Sequence, residues 1–174
     1  MKTRLILSAS MACGLALSAA AAERPQMANP SVDMAGHLRV SSEAARHRRA
    51  RRVSEAEFIR MSRQPGTVIL DARSRERYDE LHVKGAINLS FPDIAYESLH
   101  RLLPDKKTRI LIYCNNNFRE GVPAFPTKMA SASLNLSTFI ALYDYGYREV
   151  YELAPLLAVE TSKLEFEGRA RMAR

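Results

Sequence analysis

Residues 109–119 read Arg109-Ile110-Leu111-Ile112-Tyr113-Cys114-Asn115-Asn116-Asn117-Phe118-Arg119. A short apolar, β-rich run ends in a cysteine, three asparagines and an arginine. The run is too short for a helix and lacks the alternation of a one-sided strand. It predicts a strand buried on both faces. Cys114 then stands at the carboxyl end of that strand, at the head of a polar loop.

Working upstream, Thr67-Val68-Ile69-Leu70 reads as a second buried strand, with Asp71-Ala72-Arg73 at its end. Ser54 followed by Glu57 is a capping box that opens a helix carrying Phe58, Ile59 and Met61. Ser74 to Leu81 predicts a short charged helix, His82 to Gly85 a turn, and Ala86 to Leu89 another strand. Ile94 to Leu103 reads as a helix with Ile94, Leu99 and Leu102 inward. Downstream, a helix over 129–145 closes at Gly146, and Glu149 to Leu153 is a further strand. Strands alternating with helices imply an α/β fold: a mainly parallel twisted sheet with helices on both faces. Ligands of such sheets bind outside the carboxyl ends of the strands. Asp71, Arg73 and Cys114 all lie there.

The loop itself has a chemistry. Asparagine tolerates left-handed backbone angles better than other residues with a Cβ. Alternating right- and left-handed residues turn successive N–H groups inward and form an anion-binding concavity. Asn115, Asn116 and Asn117 are expected to build one around Cys114, with Arg119 as a fixed cation at its far end. An accessible thiolate or persulfide would be stabilised there. A packed cysteine beside an ordinary turn is the competing reading.

The ends of the chain are different in kind. Lys2 and Arg4, an apolar run from Leu5 to Leu17 and small residues to Ala22 form the pattern of a cleaved export leader. Its removal takes Cys13 with it and leaves Cys114 as the sole thiol of the two cysteines. The expected destination is outside the cytoplasm, a periplasm in a Gram-negative source, with no stable membrane insertion after cleavage. Part of the net charge of +7 belongs to the leader. Arg46, Arg48, Arg49, Arg51 and Arg52 supply the excess that remains, so the high pI reflects one patch. That patch reads as a solvated helix face or linker, and with export it speaks against a nucleic-acid partner. The expected organisation is a leader over 1–22, an arm with a basic segment over 23–52, one domain over 53–160 and a tail over 161–174.

At this point the sequence resembles the rhodanese-like sulfurtransferase family. Leu70-Asp71-Ala72-Arg73, His82-Val83-Lys84-Gly85-Ala86-Ile87-Asn88, Ile110 to Cys114 and Gly146 to Leu153 are similar to its motifs, in order, over about residues 53–157. The resemblance implies a single rhodanese-like domain in which Cys114 attacks a sulfur donor, becomes a persulfide and passes sulfur on. It implies that the N–H groups of Asn115, Asn116, Asn117, Phe118 and Arg119 cradle the persulfide, with Asp71 and Arg73 organising the strand ends. Partners are then a small anionic sulfur donor and a thiol or other thiophilic acceptor. Four residues separate Cys114 from Arg119 and Glu120 follows, which favours sulfur transfer over a phosphatase. Departures are Asn117 near a place where the family often has glycine, and an insertion over 120–127 before the helix. Phe118 and Phe125 are expected to line or cover the pocket. No glycine-rich nucleotide loop occurs, and His37, His47, His82 and His100 lack ligand spacing, so no cofactor and no metal are expected. A non-catalytic binding module, with the basic arm docking a protein partner, is the alternative.

Overall fold

The computed structural model describes residues 29–119 and 122–172. The leader read over 1–22 and the acid at Glu120 lie outside the described residues. Five parallel strands form one sheet in the order β1-β6-β5-β2-β4. They are β1 (Arg52–Val53), β2 (Thr67–Asp71), β4 (Ala86–Asn88), β5 (Arg109–Tyr113) and β6 (Val150–Leu153). In the central pair, Thr67 faces Arg109 and Asp71 faces Tyr113. A two-stranded antiparallel ribbon, β3 (His82–Val83) with β7 (Phe166–Glu167), stands apart from the sheet.

The alternation of side chains along each strand divides the core into two layers. Leu70, Ile110, Ile112 and Val150 point into one layer. It is covered by α1 (Met34–Arg48), α4 (Tyr96–Leu102) and α5 (Leu134–Asp144) through Ala44, Leu99, Phe139 and Leu142. Ile69, Leu111, Tyr113 and Leu153 point into the other. It is covered by Phe58 and Met61 of α2 (Glu55–Ser62), by half-buried Tyr78 of α3 (Arg75–Glu80), and by Phe118, Phe125, Leu164 and Phe166. Both faces are dry, which is why the strands read as continuous apolar runs.

Several local expectations change. Ser54 Oγ does accept the Glu57 N–H at 3.2 Å. Glu57 does not reach back to complete a capping box; its carboxylate is held by Arg60 at 2.7 and 2.5 Å. Leu103, not Leu102, turns inward: α4 ends at Leu102, which leaves that side chain 37% exposed.

The flanks are corrected more deeply. The stretch read as an arm becomes helix from Met34, because Asp33 Oδ1 caps the Gly36 N–H at 2.8 Å. That helix packs on α5, and β1 adds an edge strand to the sheet, with Arg52 facing Glu152 and Val53 facing Leu153. The basic segment is therefore not a linker; Arg46, Arg49 and Arg52 are exposed, while the arginines between them are tied down. Arg51 reaches Glu149 at 3.1 Å and Arg48 forks onto Glu152. At the other end, Leu164 and Phe166 are core, so this part of the tail is built into the domain. Gly168, just beyond β7, has φ +135° and lies so close to Glu80 O that a Cβ would approach it to 2.6 Å. No helix among the described residues is long and apolar enough to cross a membrane.

Candidate active site

Asp71 and Arg73, at the end of β2, form a fully buried ion pair. Arg73 Nη2 lies 2.5 Å from Asp71 Oδ2, with side-chain exposures of 1% and 0%. Arg73 spends its other donors on Ala124 O at 2.8 Å and Leu81 O at 2.7 Å. Tyr113, the last residue of β5, donates its hydroxyl to Asp71 Oδ2 at 2.5 Å and accepts the Val83 N–H at 3.1 Å. Four chain segments are thus tied at the carboxyl end of the sheet. Burial opposes the Arg73 charge, but Asp71 and Tyr113 outweigh it and hold the guanidinium protonated. These residues organise the strand ends and do not line the cleft described below.

Burial, reinforced by the Asp71 charge, raises the Tyr113 phenol well above its ordinary pKa of 10.0. The folded state keeps a proton that the unfolded chain releases above that pH. Stability should therefore fall as pH rises past about 10, by up to ~1.4 kcal/mol per pH unit. Urea unfolding of wild type and Tyr113→Phe across this range checks it. Equal slopes for the two proteins would refute the assignment.

His82 is also structural. Its ring stacks on Tyr78 at 3.7 Å, and Nδ1 lies 2.6 Å from Tyr78 O.

Cys114 follows at the end of β5, but the loop after it is not the expected cradle. No residue other than glycine has positive φ among the described residues. Asn115–Asn117 form one 3₁₀ turn instead. Three of the five loop amides are committed: Asn117 N–H donates to Cys114 O at 3.1 Å and Phe118 N–H to Asn115 O at 3.0 Å within the turn, and Arg119 N–H to Leu157 O at 2.8 Å beyond it. Cys114 is 0% exposed rather than accessible. Its Sγ lies 3.3 Å from Ser133 Oγ.

The asparagine side chains serve the protein. Asn117 Oδ1 accepts the Cys114 N–H at 2.9 Å and Asn135 Nδ2 at 3.0 Å. Asn117 Nδ2 donates to Leu153 O at 2.7 Å and Pro155 O at 3.3 Å. One buried amide joins the end of β5, the start of α5 and the turn after β6. Asn116 fastens Lys128 by Nδ2 to its carbonyl at 2.7 Å and by Oδ1 from its N–H at 3.3 Å. Asn115 is buried, and its Oδ1 has no partner among the described residues.

Phe118 and Phe125 are core and do not line the cleft described below. They pack together at 4.2 Å with Phe166 at 5.4 Å from Phe118, and Arg73 lies over Phe125 at 4.4 Å. Arg119 is exposed and absent from the cleft wall.

Between the loop and α5, Ala124 and Phe125 are buried in the core and residues 126–132 are exposed. The chain then brings Ser133, the N-cap of α5, against the sulfur. The insertion therefore does not carry the helix start away, and the positive end of the α5 dipole faces Cys114. Sequence reasoning missed Ser133 because nothing local marks its partner.

Beside it opens a cleft of ≈ 250 Å³ lined by Arg48, Arg52, Asn116, Asn117, Ser133, Asn135 and Glu152, among others. Asn135 Oδ1 in its wall has no partner among the described residues. The orientation of that amide is set by Asn117, whose oxygen requires a donor opposite it.

Residues 54–153 match the family model described as rhodanese-like domain. This chain belongs to the rhodanese-like domain family. Thiosulfate sulfurtransferase PspE of Escherichia coli (strain K12) is 35% identical over 52 residues, which are 30% of this chain and 49% of that protein. The match thus spans about half of that relative's length. A solved rhodanese-like domain from Anabaena sp. gives a TM-score of 0.51 at 21% identity, covering 71% of this chain and 83% of its own. A Bacillus halodurans protein gives 0.51 at 22% identity, covering 74% and 87%. The fold of this rhodanese-like domain is that of its solved relatives.

Proposed function

We propose that this rhodanese-like domain is an exported sulfurtransferase or persulfide carrier with Cys114 as the sulfur-bearing nucleophile. The observation that carries the reading is the position of Cys114. It ends the central strand of a parallel sheet, with the N-cap hydroxyl of α5 3.3 Å from Sγ. A hydroxyl donor and a helix N-terminus at that distance stabilise the negative sulfur of a thiolate or persulfide. The partial likeness to a protein named thiosulfate sulfurtransferase supports the same chemistry. Because Sγ is covered at rest, reaction requires displacement of Ser133 or of the Lys128–Ser133 strap that Asn116 fastens. The donor loses a sulfane sulfur to Cys114, and a thiophilic acceptor then takes it. The leader pattern over 1–22 carries the proposal of export, to a periplasm where the source has one.

Intact-protein mass spectrometry after treatment with thiosulfate tests this. The expected spectrum shows one added sulfur atom on wild type and none on Cys114→Ser. The same spectrum of protein recovered from the cell envelope is expected to begin after Ala22.

One observation favours a second reading, a binding module without turnover: the loop amides of Asn117 to Arg119 are already spent and the thiol is fully covered. No sulfur adduct with any sulfane donor, together with unchanged partner binding in Cys114→Ser, would establish that reading instead.

A further inference from the structure

Arg119 is the cation that the loop sequence offers to an anionic donor, yet the cleft beside Cys114 is walled by other arginines. Arg48 and Arg52 meet there on a single carboxylate. Arg48 takes both oxygens of Glu152, with Nη2 to Oε1 at 2.6 Å, and its charge is thereby answered. Arg52 Nε stands 3.9 Å from the same carboxylate, and its side chain is 47% exposed. Two guanidinium groups on one carboxylate leave the cleft cationic, with Arg52 the half-free charge at its edge.

Ser133 lines this cleft and also touches Sγ. Its side chain thus reaches both the open volume and the sulfur. We propose that an anionic sulfur donor approaches Cys114 through this cleft, selected by Arg52 of the N-terminal segment rather than by Arg119, with Ser133 as the door. The inference rests on the sulfur-transfer reading and names the residue that selects its donor.

With thiosulfate as donor, the Cys114 thiolate attacks the outer sulfur. A bond forms between Sγ and that sulfur, and the donor's S–S bond breaks. Sulfite leaves with the electron pair, and Cys114 becomes a persulfide anion. An acceptor thiolate then attacks the outer sulfur, which regenerates the Cys114 thiolate. The leaving sulfite is itself a dianion, so the cation at the cleft edge serves both the approach of the donor and the departure of the product.

The selecting charge is measured without relying on sulfur transfer. Iodoacetate and iodoacetamide alkylate the same thiol by the same displacement and differ in charge. In the full mature chain, Arg52→Gln is expected to lower the iodoacetate-to-iodoacetamide rate ratio about tenfold, the size expected of a focused local charge. Arg52→Lys should restore most of it, and Arg119→Gln should leave it unchanged. Ser133→Ala also removes a donor to the sulfur, so its rates are compared per ionised thiol; on that basis it should speed both reagents several-fold alike, as roughly expected for a lost steric cover. An unchanged ratio in Arg52→Gln, or a loss confined to Arg119→Gln, overturns the proposal. So does an unchanged rate in Ser133→Ala. A charge-dependent ratio without any sulfur uptake from thiosulfate leaves the selecting cleft standing and removes the sulfur-transfer reading. Absence of alkylation by either reagent removes both.

Discussion

Arg73→Ala should cost about 3–5 kcal/mol of stability, because it strands a buried carboxylate. Asp71 is fully enclosed, and Arg73 supplies its neutralising charge. The same substitution also releases Ala124 O and Leu81 O. Domains of this size have only ~5–15 kcal/mol in total, so a large share is at stake. Urea denaturation measures it. The pair is coupled, so Asp71→Ala combined with Arg73→Ala should lose less than the two single changes added together. A loss below ~1 kcal/mol for Arg73→Ala would mean that the carboxylate finds water or a proton, and that the clamp is not what joins the strand ends.

Asn117→Gly should also destabilise strongly, by about 2–4 kcal/mol, although glycine is common near this place in the family. The reason is local. Asn117 does not occupy a left-handed conformation, so glycine relieves no strain there. What it removes is a side-chain amide with four partners: Cys114 N, Asn135 Nδ2, Leu153 O and Pro155 O. Each is left wanting a partner in a buried place. Because the amide holds the first residue of the loop, alkylation of Cys114 should become faster in the same variant. Unchanged stability and an unchanged alkylation rate would show that these contacts are incidental.

What the sequence disclosed, and what it hid, follow from the range of the forces involved. β2 and β5 were legible because a strand dry on both faces must be apolar throughout. Helix α2 was legible from Ser54, and the end of the helix before β6 from Gly146. β1 and β7 were not, since two residues each carry no period. The start of α1 was missed because its buried side is made only of Gly36 and Ala44, which give no apolar stripe. At the site, Cys114 was found from its place at the end of an apolar run. The asparagines were read for their backbone tolerance, whereas the fold uses their amides. The cleft was invisible for a different reason. Arg48 and Arg52 precede Glu152 by some hundred residues, and no local pattern announces a partner that distant.

That same spacing has a consequence for biosynthesis. Phe166 closes one hydrophobic layer, and Val53 cannot join the sheet before Leu153 is available. A nascent chain emerging from the ribosome therefore lacks a complete core until Phe166 has been made. Such late closure slows folding, as does any topology dominated by distant pairings. Until then the chain stays open enough to be threaded, which the export proposed above would require.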